Sequence, residues 1–277
     1  MAVLLALFSA ATYGIGDFCG GMATRRASPG AVLLWSHLLG LLSLGLAVAL
    51  GAGTYSSQDL ALGALGGTAG AVGIGLLYRG LAIGPMSVVA PITALLAAAV
   101  PVVVGYAQGE RPGPSALVGM VAALAAIVLV SAEGSGTLRP SDPRGVSLAM
   151  GAGLCFGLFF VALSLTDEAS GLWPLVGARL TSVVGVGGLA LLKVLDVRMP
   201  RGGAGWFTVA AGVLDVVANA CYLLAVREGL LSVVTVLTAL YPVGTVVLAR
   251  VVLNERFASL QRIGLAVAIP AAVLIAV

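Results

Sequence analysis

Cut at its polar and Gly/Pro clusters, the chain leaves ten apolar runs, at roughly 2–22, 31–50, 59–78, 85–106, 115–131, 145–165, 172–192, 205–226, 231–251 and 259–277. Each is close to the about 20 residues that a helix needs to cross the hydrocarbon core of a bilayer. In that solvent every backbone N–H and C=O must find its partner within the protein, and a run of this length does so as an α-helix. Composition agrees: 60% of residues are hydrophobic and 9% charged, where an ordinary soluble domain carries about 25% charged. The opening run, MAVLLALFSAATYGIGDF, has no Lys or Arg ahead of its apolar stretch, so it reads as a first membrane helix and not as a secretory leader. The expected fold is all-α and integral to the membrane, with ten transmembrane helices.

The runs fall into two sets. Residues 87–95 read SVVAPITAL and residues 232–240 read SVVTVLTAL, and counting 23 residues on from each serine reaches Glu110-Arg111 in one copy and Glu255-Arg256 in the other. An offset near 144 also pairs Tyr13-Gly14 with Phe156-Gly157, and Tyr78 with Tyr222. Between the halves lies AEGSGTLRPSDPRG, the one stretch with linker composition. The expected organisation is therefore a five-helix repeat over 1–131, a linker over 132–144 and a second five-helix repeat over 145–277. An odd number of spans per half makes the second half enter the membrane from the opposite side. The repeats are then inverted, the arrangement on which many secondary transporters alternate access.

Charge narrows the classes further. Of the 14 Lys and Arg, Arg179 lies within a span and only Arg111 and Arg227 fall in loops on the face that carries both termini; about eleven lie toward the other face. The positive-inside rule makes that basic face cytoplasmic and puts the termini outside. No basic cluster forms a nucleic-acid footprint, so nucleic acid is excluded as a partner. One His rules out HExxH and His-rich metal sites, the three Cys lack CxxC spacing, and neither GxSxG nor a phosphate-binding loop is present. Neither an enzyme nor a bound metal or cofactor is expected.

The most family-like stretch is SVVTVLTALYPVGTVVLARVVLNERFASLQRIGLAVAIPAAVLIAV, residues 232–277. A small-residue run is followed by Pro242, the turn Asn254-Glu255-Arg256 and Gly264 in the last helix; Pro101, Gly109-Glu110-Arg111 and Gly119 match them in the first half. In this the chain resembles the EamA-type branch of the drug/metabolite transporter superfamily over nearly its whole length. Departures are YGIGDFCGG in the first span, where many relatives show Trp-Gly, and His37, near where an Arg is common. The resemblance implies a multi-pass protein of a plasma membrane, of the bacterial inner-membrane kind, moving a small molecule through a cavity lined by spans 1, 3 and 4 and their counterparts 6, 8 and 9. Relatives often hold their termini inside, contrary to the charge count. Sugar uptake and a non-transport scaffold are the alternatives, and the protein is a monomer or a homodimer in the bilayer. Scarce charge disfavours sugar phosphates and nucleotide sugars, which need Lys or Arg clamps; amino acids, metabolites or drugs fit better, with export and proton coupling expected.

Ionisable side chains within spans are functional candidates because each carries an insertion cost of about 2.5–3.5 kcal/mol. Asp17 and His37 lie equally far from the first tight loop and are expected to face each other as a pair able to exchange protons. Asp215, Asn219 and Tyr222 share one stripe of span 8, and Arg179 in span 7 is within about a turn of the depth of Asp215, so an ion pair is expected. Tyr13 and Tyr241 lie deeper than an interfacial belt, while Tyr78 sits near a span end. Pro91, Pro101 and Pro242 free backbone carbonyls beside a cavity. Substrate or proton binding is thus expected from Tyr13, Asp17, His37, Tyr78, Pro91, Arg179, Asp215, Asn219, Tyr222 and Tyr241. Glu110 and Glu255 are expected to close turns, and the glycines of span 3 to let helices approach.

Overall fold

The computed structural model describes residues 1–83, 86–131, 143–253 and 258–277, the side chains at 78, 81, 82, 86 and 87 excepted. Its helices are α1 (Ala2–Thr24), α2 (Pro29–Ala49), α3 (Ser57–Ile83), α4 (Met86–Ala107), α5 (Pro114–Ser131), α6 (Pro143–Ser164), α7 (Trp173–Leu191), α8 (Gly203–Glu228), α9 (Leu231–Thr238), α10 (Tyr241–Leu253) and α11 (Ser259–Ala276). No strand occurs among the described residues. With α9 and α10 taken together they make ten helices long and apolar enough to cross a membrane. Local chemistry sets their ends. Ser28 accepts the Ala31 N–H at 3.2 Å ahead of Pro29, and Ser56 accepts the Asp59 N–H at 3.2 Å, each relieving one of the orphan donors of a helix start. The remainder of the expected linker and the Asn254-Glu255-Arg256 turn lie outside the described residues, but Pro143 and Arg144 belong to α6 and not to a linker.

Span 9 differs from its expected single helix. It ends at Thr238, turns through Ala239 and Leu240, and resumes at Tyr241. Pro242 has no N–H to return to Thr238, and the Leu240 carbonyl instead accepts from Val243 at 3.0 Å, a tightened turn at a proline. In α4, Pro91 and Pro101 sit inside one continuous helix.

Contacts among the helices obey the repeat. α1 lies against α8 as α3 lies against α6; α1 lies against α9 and α10 as α4 lies against α6; α2 lies against α8 as α3 lies against α7; α5 pairs with α11 and α2 with α7. Exchanging the two halves maps this set onto itself, as inverted repeats require. Small residues make the approaches possible. A Cβ on Gly63 would lie 1.9 Å from the Pro174 carbonyl oxygen, and one on Gly67 within 2.5 Å of the Ala178 backbone, so α3 meets α7 backbone to backbone.

The two ends of the bundle are built differently. On the terminal face, Thr54 N–H donates to the Ala169 carbonyl at 2.8 Å and Leu172 N–H to Ala52 at 3.0 Å. Arg227, at the end of α8, donates to the carbonyls of Gly171 at 3.0 Å and Asp167 at 2.8 Å. Glu110 reaches from the α4–α5 turn to the start of α9, where its carboxylate accepts from Leu231 N–H at 2.5 Å and Ser232 N–H at 3.0 Å. On the basic face the described links run between the α1–α2 and α7–α8 loops, with Ser28 donating to Asp196 and Trp35 Nε1 donating to Val197 at 3.1 Å.

Candidate functional site

The inner wall of α1 can be located by elimination around its circumference. Leu4, Phe8 and Ile15 are exposed apolar side chains on one stripe at helical spacing, the lipid-facing side. A Cβ on Gly14 would strike the Tyr241 carbonyl oxygen at 2.6 Å and Gly244 Cα at 3.0 Å, so that flank meets α10; a Cβ on Gly16 would touch Leu214 at 3.4 Å, so the other flank meets α8. Tyr13, Asp17 and Gly20 follow each other at spacings of four and three, roughly opposite the lipid stripe. That side faces the protein interior.

Asp17 is nonetheless exposed, and a Cβ placed on Gly20 or Gly21 would meet nothing within 4 Å. An exposed carboxylate on an inward-facing wall marks a crevice, which lies in the half of α1 toward the basic face. Asp17 has no hydrogen bond or ion pair among the described residues, and it lies within electrostatic reach of Tyr13 and Tyr241. The two tyrosines approach with ring centroids 6.3 Å apart and planes at 59°. Thr245 Oγ1 donates to the Gly14 carbonyl at 3.1 Å, fixing α10 to α1 just beyond the break in span 9.

Behind α1, the expected ion pair is formed. Arg179 of α7 bonds the Asp215 carboxylate of α8 through Nη2 and places Nη1 3.1 Å from His37 Nε2 of α2. A guanidinium only donates, so Nε2 accepts and the ring proton of a neutral His37 stands on Nδ1. Nδ1 is buried with no partner among the described residues. Arg179 is 8% exposed while the Asp215 side chain keeps 32% of its surface, so the pair is closed on the arginine side and open on the carboxylate side. Asn219 donates to the Asp215 carbonyl at 2.7 Å, and its buried Oδ1 is unpartnered among the described residues.

Sequence expectations divide accordingly. Arg179 pairs with Asp215 as expected, but the hydrogen-bond partner of His37 is Arg179 and not Asp17, because α2 turns its ring toward α7. The stripe of Asp215, Asn219 and Tyr222 runs from solvent to core. Tyr222 has no accessible surface; its hydroxyl lies 3.1 Å from Thr235 Oγ1 and donates to the Phe160 carbonyl at 3.3 Å, and its ring lies 4.5 Å from that of Phe160. It joins α8 to α6 and α9. Pro91 is buried within α4, and the Tyr78 side chain lies outside the described residues. Glu110 was expected to close its own turn; its bond to α9, some 120 positions away, has no local signature. Phe160 was missed, although the spacing that pairs Tyr13-Gly14 with Phe156-Gly157 also pairs Asp17 with Phe160.

The family model described as "EamA-like transporter family" matches residues 1–132 and 143–277. The chain belongs to that family. No match to this EamA-type chain is found among curated proteins. A solved structure described as "Crystal structure of protein" superposes with a TM-score of 0.78 at 19% identity, covering 100% of the EamA-type chain and 98% of the other. At that identity the likeness is one of fold. Ten apolar helices and the family together make the EamA-type chain a multi-pass membrane protein of transporter type, and among the described residues no group of three or more His, Cys, Asp or Glu could hold a metal ion.

Proposed function

We propose that this protein is a secondary transporter that exports small organic solutes across a plasma membrane of the bacterial inner-membrane kind by alternating access, with neither enzymatic chemistry nor a cofactor. The observation that carries the reading is the exposed carboxylate of Asp17 on an inward-facing wall, in a bundle whose terminal face is cross-linked by Glu110 and Arg227. A crevice open at one face and bonded at the other is one of the two states that such a cycle exchanges. The repeats over 1–131 and 145–277 would then rock about the level of Tyr13, Tyr241 and Asp215, and inward proton movement through Asp17 or Asp215 would supply the driving force.

Reconstitution tests this. Purified protein in proteoliposomes is expected to move at least one solute from a panel of amino acids, sugars, nucleosides and organic cations, chosen first by thermal stabilisation, since a ligand that binds only the folded form raises its stability. A Gly20→Cys variant is expected to react with a membrane-impermeant maleimide from the basic face. No transported solute and no labelling would overturn the reading. Transport that ignores an imposed pH gradient removes the proton and leaves a uniporter, whereas full dependence kept in both Asp17→Asn and Asp215→Asn removes these two carboxylates from the proton path.

A further inference from the structure

The charges around the crevice can be counted, and the count selects a substrate class. Two cations of the described spans bear on this region, Arg250 in the last turn of α10 toward the basic face and Arg179 behind α1, and Arg179 is committed twice, to the Asp215 carboxylate and to His37 Nε2. An anion entering the crevice would have to take Arg179 from Asp215 and leave a carboxylate unpaired in a low dielectric, a severe loss. A zwitterion meets the same obstacle at its carboxylate end. Asp17 is different. It is accessible, has no bonded partner among the described residues, and lies one turn from Tyr13 on the same inner wall.

A carboxylate beside aromatic rings is a receptor for a cation with an apolar body, through direct charge pairing and attraction to the ring faces. Tyr13 and Tyr241 supply those rings, both within electrostatic reach of Asp17. An inorganic cation would ask for several oxygen ligands around it, and no acidic cluster of that kind exists among the described residues. The arginines Arg25 and Arg26 at the end of α1 are about 12 Å or more along the helix from Asp17, too far for a direct ion pair. We infer that the transported solute is a monovalent organic cation, its charge held by Asp17 and its apolar part set against Tyr13 and Tyr241. This rests on the transport reading above.

The test uses four probes of one shape: phenethylamine, phenylalanine, 3-phenylpropionate and 2-phenylethanol, with binding to the purified full chain read by calorimetry and movement read in proteoliposomes. The amine is expected to bind about tenfold or more tightly than the other three. Asp17→Asn is expected to erase that preference, and Asp17→Glu to restore part of it. Asp215→Asn frees Arg179 and is expected to raise affinity for phenylalanine or phenylpropionate in an otherwise folded protein. Equal or tighter binding of the zwitterion or anion by the unaltered protein, undiminished amine preference in Asp17→Asn, or no binding of any probe overturns the inference. Movement of the zwitterion or anion with no movement of the amine would leave the transporter reading standing while removing the charge assignment; absence of transport for every solute together with an unlabelled Gly20→Cys removes both.

Discussion

Asp17 in α1 and Phe160 in α6 hold the same place in the two repeats, yet one is an exposed carboxylate and the other a ring in contact with Tyr222. Their surroundings differ in the same sense. Around Phe160 the Tyr222 hydroxyl of α8 ties the α6 backbone to the Thr235 side chain of α9, whereas beyond Asp17 Gly20 and Gly21 border open space. Two copies of one five-helix unit thus serve as a seal at one end and a crevice at the other. The lesson is that symmetry of backbone pairing survives where symmetry of side-chain chemistry does not, and the divergent positions are the informative ones.

Substitutions can break that comparison, and the largest effect is expected where the seal is given the crevice's chemistry. Phe160→Asp puts an unpaired carboxylate against the enclosed Tyr222 and is expected to cost about 3–5 kcal/mol, seen as loss of folded protein in a detergent thermal-unfolding assay. Gly14→Ala pushes a methyl into the Tyr241 carbonyl and is expected to cost about 1–3 kcal/mol, with α10 displaced from α1 and transport reduced. Tyr222→Phe removes one hydroxyl and leaves Thr235 short of a partner, for about 1–2 kcal/mol in the same assay. Glu110→Gln weakens a charge-assisted helix cap by about 1 kcal/mol, and is expected to raise the reactivity of a cysteine at Thr235 toward reagents added at the terminal face. Smallest is Gly20→Ala, which meets nothing and should be neutral or stabilising by about 0.5–1 kcal/mol; if it damages the protein as much as Gly14→Ala, the crevice beside Asp17 is not there.

Much of this was legible in the residues. Run length and the offset between SVVAPITAL and SVVTVLTAL predict ten spans in two sets, and nine of the ten appear as single helices close to the expected bounds. Depth was legible too, since it depends only on distance from a loop, and so Arg179 and Asp215 were placed near enough to pair. Rotation about the helix axis was not. It is set by small-residue contacts such as Gly40, where a Cβ would lie 2.9 Å from Val216 and 3.6 Å from Arg179 Nε, between helices distant in sequence. That is why His37 was assigned to Asp17 by depth and is found with Arg179. The break in span 9 turned on a similar ambiguity: a proline in an apolar run predicts a kink, and whether the helix bends or ends depends on neighbours, here the Gly14 and Gly244 contact that lets α10 start against α1.

The bond from Glu110 to the first turn of α9 carries a consequence for timing. A state opened at the terminal face must give up both N–H contacts, and if that difference is about 2 kcal/mol in total, the opened form is populated at a few per cent before any solute arrives. Such a carrier rests almost wholly in one posture. Its turnover would then be governed by how often it samples the rare one, so that loosening a single carboxylate could speed the cycle without touching the place where cargo sits.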